Sequence, residues 1–188
     1  VSHMTTKGHP ESLLFVGLGG RIAALDRATG EEVWRAELPG TGYQVVAVLH
    51  HDGRLFAGTA GNIFALDPVN GAILWRNCLE GLAYDAATLA VPLTPPGGSP
   101  SPVLYIGTHG YAVAVRCDTG AELWRVSLPS TGFRLVSIIA NDVAILVATA
   151  GVTFGLSPVD GRIMWENRHK GMGIQDACIG SVTSPAFA

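Results

Sequence analysis

The residues with chemical potential in this chain are few and scattered. His50-His51-Asp52 is the densest cluster, and His and Asp are ligand types for zinc and related ions. Adjacent side chains on a strand point to opposite faces, so the two histidines would not share one ion, and Asp52-Gly53 reads as a turn. His109 and His169 stand singly in loop-like stretches, where solvated polar residues are the default. No group of Glu, Asn and Asp forms the oxygen-rich cage that calcium takes, so no metal is expected. Cys78, Cys117 and Cys178 lie far apart, odd in number and without Cys-x-x-Cys spacing. That usage points to a reduced, cytoplasmic setting, and Cys178, with no basic neighbour in sequence, is expected to be structural. Gly17-Leu-Gly19-Gly20 follows an apolar run as a dinucleotide fingerprint would, but position 22 is Ile where that motif needs a third small residue. Gly20 recurs as Gly61, Gly110 and Gly151, which is the mark of a repeated turn.

One further constellation recurs. Soon after each tryptophan, at a constant spacing, stands an apolar residue followed by a variable polar one: Tyr43-Gln44, Tyr84-Asp85, Phe133-Arg134 and Ile174-Gln175, the last followed by Asp176. An aromatic beside a changing polar group is what a shallow recognition surface uses. The same residues also suit an aromatic plug with a polar rim, and the two readings stand side by side.

The elements that position these residues come from a fourfold repeat. Leu14 to Trp34 is rewritten as Leu55 to Trp75, Leu104 to Trp124 and Ile145 to Trp165, and each copy ends on one of the four tryptophans, the only ones in the chain. A period in the low forties with strand-like segments marks a propeller or related array. Within a repeat, short apolar runs are separated by Gly-rich turns, the pattern of antiparallel hairpins. Each repeat therefore supplies four strands, named A (inner) to D (outer). The expected A strands are 43–50, 84–91 and 133–140. Blade one begins at strand B, and the apolar stretch 174–188 is expected to supply its missing strand A. A longer repeat overlies the first, since Leu38-Pro-Gly-Thr-Gly-Tyr-Gln44 matches Leu128-Pro-Ser-Thr-Gly-Phe-Arg134, and Trp34 and Trp75 map onto Trp124 and Trp165 by the same offset. The chain is thus two tandem two-blade units, about 13–93 and 103–184, joined by the Pro/Gly/Ser seam 94–102. Residues 1–12 read as a lead-in outside the fold, with Val1-Ser-His-Met4 a cloning remnant. A propeller convention places the D-to-A loops, with Tyr43, Gln44, Tyr84, Asp85, Phe133, Arg134, Gln175 and Asp176, around the mouth of the central channel.

Composition narrows the function classes. Of 188 residues 48% are hydrophobic and 14% charged, with a net charge of −3, so a core can be buried and neither nucleic acid nor anionic lipid is an expected partner. No apolar run approaches the roughly 20 residues of a membrane helix.

The pattern Ala-Leu-Asp26-x-x-Thr-Gly30-x-x-x-Trp34 resembles the repeat of quinoprotein-type (pyrroloquinoline quinone-like) β-propellers, over essentially the whole chain. The resemblance implies an all-β propeller with four four-stranded antiparallel blades, whose strand-D tryptophans Trp34, Trp75, Trp124 and Trp165 dock between neighbouring blades. The small residues Ala24, Ala65, Ala114 and Gly155 would make room for them. The aspartate slot holds Asp26 and Asp67 but then Arg116 and Ser157, so these aspartates read as turn formers. The family includes quinone-dependent dehydrogenases with calcium and also members that bind no quinone and act as scaffolds. The enzymes are longer, and many carry an adjacent cysteine pair that this chain lacks. A non-catalytic scaffold for a protein or small ligand is therefore expected, without cofactor, with a small quinoprotein-like enzyme as the alternative. Propellers of this type resemble rings of about seven or eight blades, so a homodimer forming one eight-bladed ring is expected, against a self-closed four-bladed monomer.

Overall fold

A computed structural model describes residues 10–82, 86–92, 102–132, 134–141 and 143–180. Strand follows strand, after a single 3-10 turn at Pro10–Ser12. Blade one holds β1 (Leu13–Leu18), β2 (Arg21–Asp26) and β3 (Glu32–Glu37). Blade two holds β4 (Ala47–His51), β5 (Arg54–Thr59), β6 (Asn62–Leu66) and β7 (Ile73–Cys78). Blade three holds β8 (Thr88–Ala90), β9 (Val103–Thr108), β10 (Tyr111–Arg116) and β11 (Glu122–Ser127). Blade four holds β12 (Ser137–Ala140), β13 (Ile145–Thr149), β14 (Val152–Leu156) and β15 (Ile163–Arg168). Every strand pairing is antiparallel between sequence neighbours, giving four separate sheets of an all-β propeller.

Three apolar layers hold the sheets face to face. Ile22, Leu38, Val46 and Phe64 lie between blades one and two. Phe56, Leu79, Leu104 and Val113 lie between blades two and three. Tyr105, Leu128, Val147 and Phe154 lie between blades three and four. The middle strands β5, β6, β9 and β10 are covered on both faces, which is why they read as unbroken apolar runs without polar alternation.

The C–D turn keeps one geometry although its first residue changes. Gly30, Gly71, Gly120 and Gly161 each donate their N–H to the carbonyl of residue 26, 67, 116 or 157, at 2.8 to 2.9 Å. Because backbone atoms close the turn, Arg116 and Ser157 are tolerated. Asp26 Oδ1 adds bonds from the Ala28 and Thr29 N–H groups, both at 2.9 Å. In the third turn Arg116 instead pairs with Asp118 at 2.6 Å, which holds that carboxyl down at about 2. A bulge follows Ala24, Ala65, Ala114 and Gly155, each the cross-strand partner of a tryptophan.

One expectation is revised. The A strands begin several residues late: Tyr43 to Val46 are not strand, and β4 starts at Ala47. The Gln44 carbonyl is held instead by Gly20 N–H at 3.3 Å, and the Arg134 carbonyl by Gly110 N–H at 3.2 Å, so these carbonyls face a turn of the preceding blade. Blade one has three strands among the described residues. Residues 174–180 do not pair with β1; they run beside blade four, with Ser137 Oγ–H donating to the Ala177 carbonyl. The remainder of the stretch expected to complete blade one, 181–188, lies outside the described residues.

Candidate functional site

The described parts of the first and third D-to-A loops are hydrogen-bonded turns, and exposed side chains follow them. In the first, Leu38 N–H donates to Gly20 O at 2.9 Å and Thr41 Oγ1–H to Leu38 O at 2.7 Å. In the third, Leu128 N–H donates to Gly110 O at 2.9 Å and Thr131 Oγ1–H to Leu128 O at 2.8 Å. Beyond these anchors the chain emerges: Tyr43 is 90% exposed, and Gln44, Gln175 and Asp176 are also exposed. Arg134 reaches Asp176 at 3.9 Å, linking the third loop to the fourth. Met172 and Ile174 add exposed apolar groups there. Tyr43 stands at a corner between two hollows, one of about 560 Å3 against the Leu38–Gly42 turn and one of about 350 Å3 against Val16, Leu18 and Arg35. Tyr84, Asp85 and Phe133 lie outside the described residues.

The tryptophans act across blades. Trp34, Trp75 and Trp124 lay their rings on Gly71, Gly120 and Gly161 of the following blade. Their Nε1–H groups donate to the carbonyls of Pro68, Cys117 and Pro158, at 3.0, 3.0 and 3.2 Å. Trp165 belongs to the last blade. Its ring lies against Gly155 of its own sheet, and it is 45% exposed. A partner that the repeat did not flag is Asn77, whose Nδ2–H donates to Gly120 O at 2.6 Å, on the strand of Trp75. Asn167 occupies the same place after Trp165, a match visible in sequence only once the contact is known.

Burial and hydrogen bonding shift the protonation of several groups. Burial pushes the Cys117 thiol up to about 12 and the Tyr105 phenol to about 12, the opposite of an activated nucleophile. Asp118 and Asp160 are held low by hydrogen bonds, from Arg116 and Ser157 respectively. His50 stacks on Phe15, ring centroids 5.8 Å apart, and His169 Nε2 shares a 2.8 Å hydrogen bond with Thr153 Oγ1. Among the described residues, no three His, Cys, Asp or Glu side chains gather as a metal site, and no helix is long and apolar enough to cross a membrane.

Among solved structures, the chain is similar to BamB from Moraxella catarrhalis, at 23% identity over 82% of this chain and 49% of that one, with a TM-score of 0.63. It is also similar to the computationally designed Ika8 protein, at 16% identity over 91% and 50%, with a TM-score of 0.66. The Neurospora crassa Pan2 WD40 domain matches at 12% identity over 84% and 46%, with a TM-score of 0.64. The chain thus spans about half the length of each of these structures. No curated protein matches the sequence. The family model described as outer membrane protein assembly factor BamB matches residues 18–94 and 61–188. Together those matches run through all four blades, and the chain belongs to this family of β-propellers with quinoprotein-like repeats.

Proposed function

We infer that the protein is a non-catalytic interaction scaffold whose D-to-A loops form a docking rim for a protein partner. The observation that carries this reading is the contrast between fixed loop backbones and the side chains they expose: Tyr43, Gln44, Met172, Ile174, Gln175 and the Arg134–Asp176 pair. Rigid turns spare a binding surface the entropy of ordering its backbone. An exposed tyrosine with apolar and charged neighbours supplies contact area and orientation together. The blades supply a scaffold in the sense that family membership supports, and the catalytic alternative finds no activated group among the shifted ones. The reading includes a homodimer, with two four-blade arcs sharing one ring.

The test places a photo-cross-linking side chain at Gln44 and at Gln175, with a control at exposed Glu122 on the outer strand. A single protein adduct at both rim positions and not at Glu122, weakened by Arg134→Glu and competed by unmodified chain, is the expected result. Equal labelling at all three positions, or labelling indifferent to Arg134→Glu, overturns the rim.

A further inference from the structure

The two ends of the arc differ from the interior, and the longer repeat shows by how much. Leu14, Val16 and Leu18 of β1 are 53%, 40% and 75% exposed. Their equivalents Leu104, Ile106 and Thr108 in blade three are fully buried against blade two, and so are Leu55, Ala57 and Thr59 in blade two and Ile145, Val147 and Thr149 in blade four. At the other end Trp165 and Asn167 repeat Trp75 and Asn77, the pair that grips Cys117 O and Gly120 O of the next blade. The carbonyls at the matching places on blade one belong to Arg27 and Gly30, and around Gly30 there is open space where Trp75 covers Gly120. Among the described residues, blade one thus carries an unfilled receptor for the knob that blade four exposes.

We propose that a second copy of this chain fills that receptor: Trp165 and Asn167 of each copy dock on the Arg27–Gly30 turn of the other and cover Leu14, Val16 and Leu18. The seam would repeat the interface already made between blades two and three, donor for donor and acceptor for acceptor. Three observations commit the occupant to a second copy. First, the complementary surfaces sit on one chain, one long repeat out of step, so a head-to-tail contact uses only surfaces the sequence has already paired internally. Second, among the described residues blade four forms no packed layer with blade one, and the solved structures it resembles are about twice as long. Four blades therefore complete about half a turn, and two arcs close under a twofold axis. Third, residues 174–180 leave blade four as the other lead-ins leave theirs. Ser137 Oγ–H reaches Ala177 O as Thr88 Oγ1–H reaches Val136 O. Both carbonyls stand at the same distance along the chain from a tryptophan, at the entry to an inner strand, and blade one presents β1 with an unpaired inner edge among the described residues. The seam is more polar than its internal template, with His169 where Leu79 of the blade two–three layer stands, which suits arcs that assemble after folding.

This seam rests on the half-ring reading, and mass measurement separates the two. Light scattering at micromolar concentration is expected to give twice the 19.6 kDa of one chain for the parent. Leu18→Arg and Trp165→Ala alter side chains that are exposed in the single chain, so each should keep the parent circular dichroism spectrum and run at the single-chain mass. Asn167→Ala, which removes one amide and no core group, should raise the dimer dissociation constant about tenfold. Mixing the Leu18→Arg and Trp165→Ala proteins should restore the doubled mass, because a head-to-tail ring built from one of each keeps one seam intact. A parent that stays at the single-chain mass even when concentrated a further hundredfold overturns both the seam and the half-ring. A dimer that survives Leu18→Arg and Trp165→Ala, or variants that dissociate without complementing each other, overturns the seam alone. The rim variant Arg134→Glu should leave the mass unchanged.

Discussion

Replacing Trp75 by alanine removes a ring that is wedged between Gly120 of the next blade and Phe56 of its own, 6.0 Å away centroid to centroid. A half-buried tryptophan of this kind removes about 150 Å2 from water. At about 25 cal/mol per Å2 that is about 4 kcal/mol, and leaving the Cys117 carbonyl without its 3.0 Å donor adds about 1 kcal/mol. Trp165 is the internal control, since it has the same residue type and repeat position but no following blade among the described residues. At 45% exposure and packed on its own sheet, its truncation should cost about 2 kcal/mol within one chain. The repeat alone would assign all four tryptophans one cost; the structure separates these two by about 3 kcal/mol. Urea titrations in the Leu18→Arg background keep assembly out of the comparison, and coincident fluorescence and circular dichroism transitions are needed before a single free energy is extracted. If Trp75→Ala and Trp165→Ala fall within about 1 kcal/mol of each other, the cross-blade contact is not what makes the tryptophan matter.

Stability should fall as pH rises from about 9 to 12. Cys117 and Tyr105 are held above their ordinary 9.0 and 10.0, each at about 12, so across that window the folded chain binds more protons than the unfolded one. At pH 10 the thiol accounts for about 1 kcal/mol of the loss relative to neutrality, and urea melts of Cys117→Ala should show a shallower decline than the parent; parallel declines would contradict the burial argument. Gly120→Ala should cost about 3 kcal/mol, because φ is +71° and the new methyl meets the Trp75 ring. Gly30→Ala, at φ +74° with open space around it, should cost about 1 kcal/mol in the single chain, a gap that thermal melts resolve. Tyr43→Ala should move stability by less than about 0.5 kcal/mol while weakening the cross-linked adduct at Gln44.

Much of the fold was legible because the repeat reports on packing that recurs. A turn glycine under Trp34, Trp75 and Trp124, and a small residue across the strand from all four tryptophans, are demands of backbone approach, met whatever the turn residue is. The A strands were less legible, since Tyr43-Gln44-Val45 has the apolar alternation of a strand, yet Gly20 N–H takes the Gln44 carbonyl and delays pairing to Ala47. Side-chain contacts that cross blades were not legible at all: nothing local to Asn77 says that its amide meets Gly120 O, or that Arg134 meets Asp176. Exposure at the ends was hidden for a related reason. Leu14, Val16 and Leu18 read as core by composition, and sequence carries no label for whether a neighbouring blade is present. Only the comparison of one repeat position across four blades, buried in three and open in the first, marks that run as the face on which the proposed second copy would dock. In that proposed contact Trp165 and Asn167 would take the opposite side, because the two residues that hold blades two and three together are written again on the outer strand of blade four.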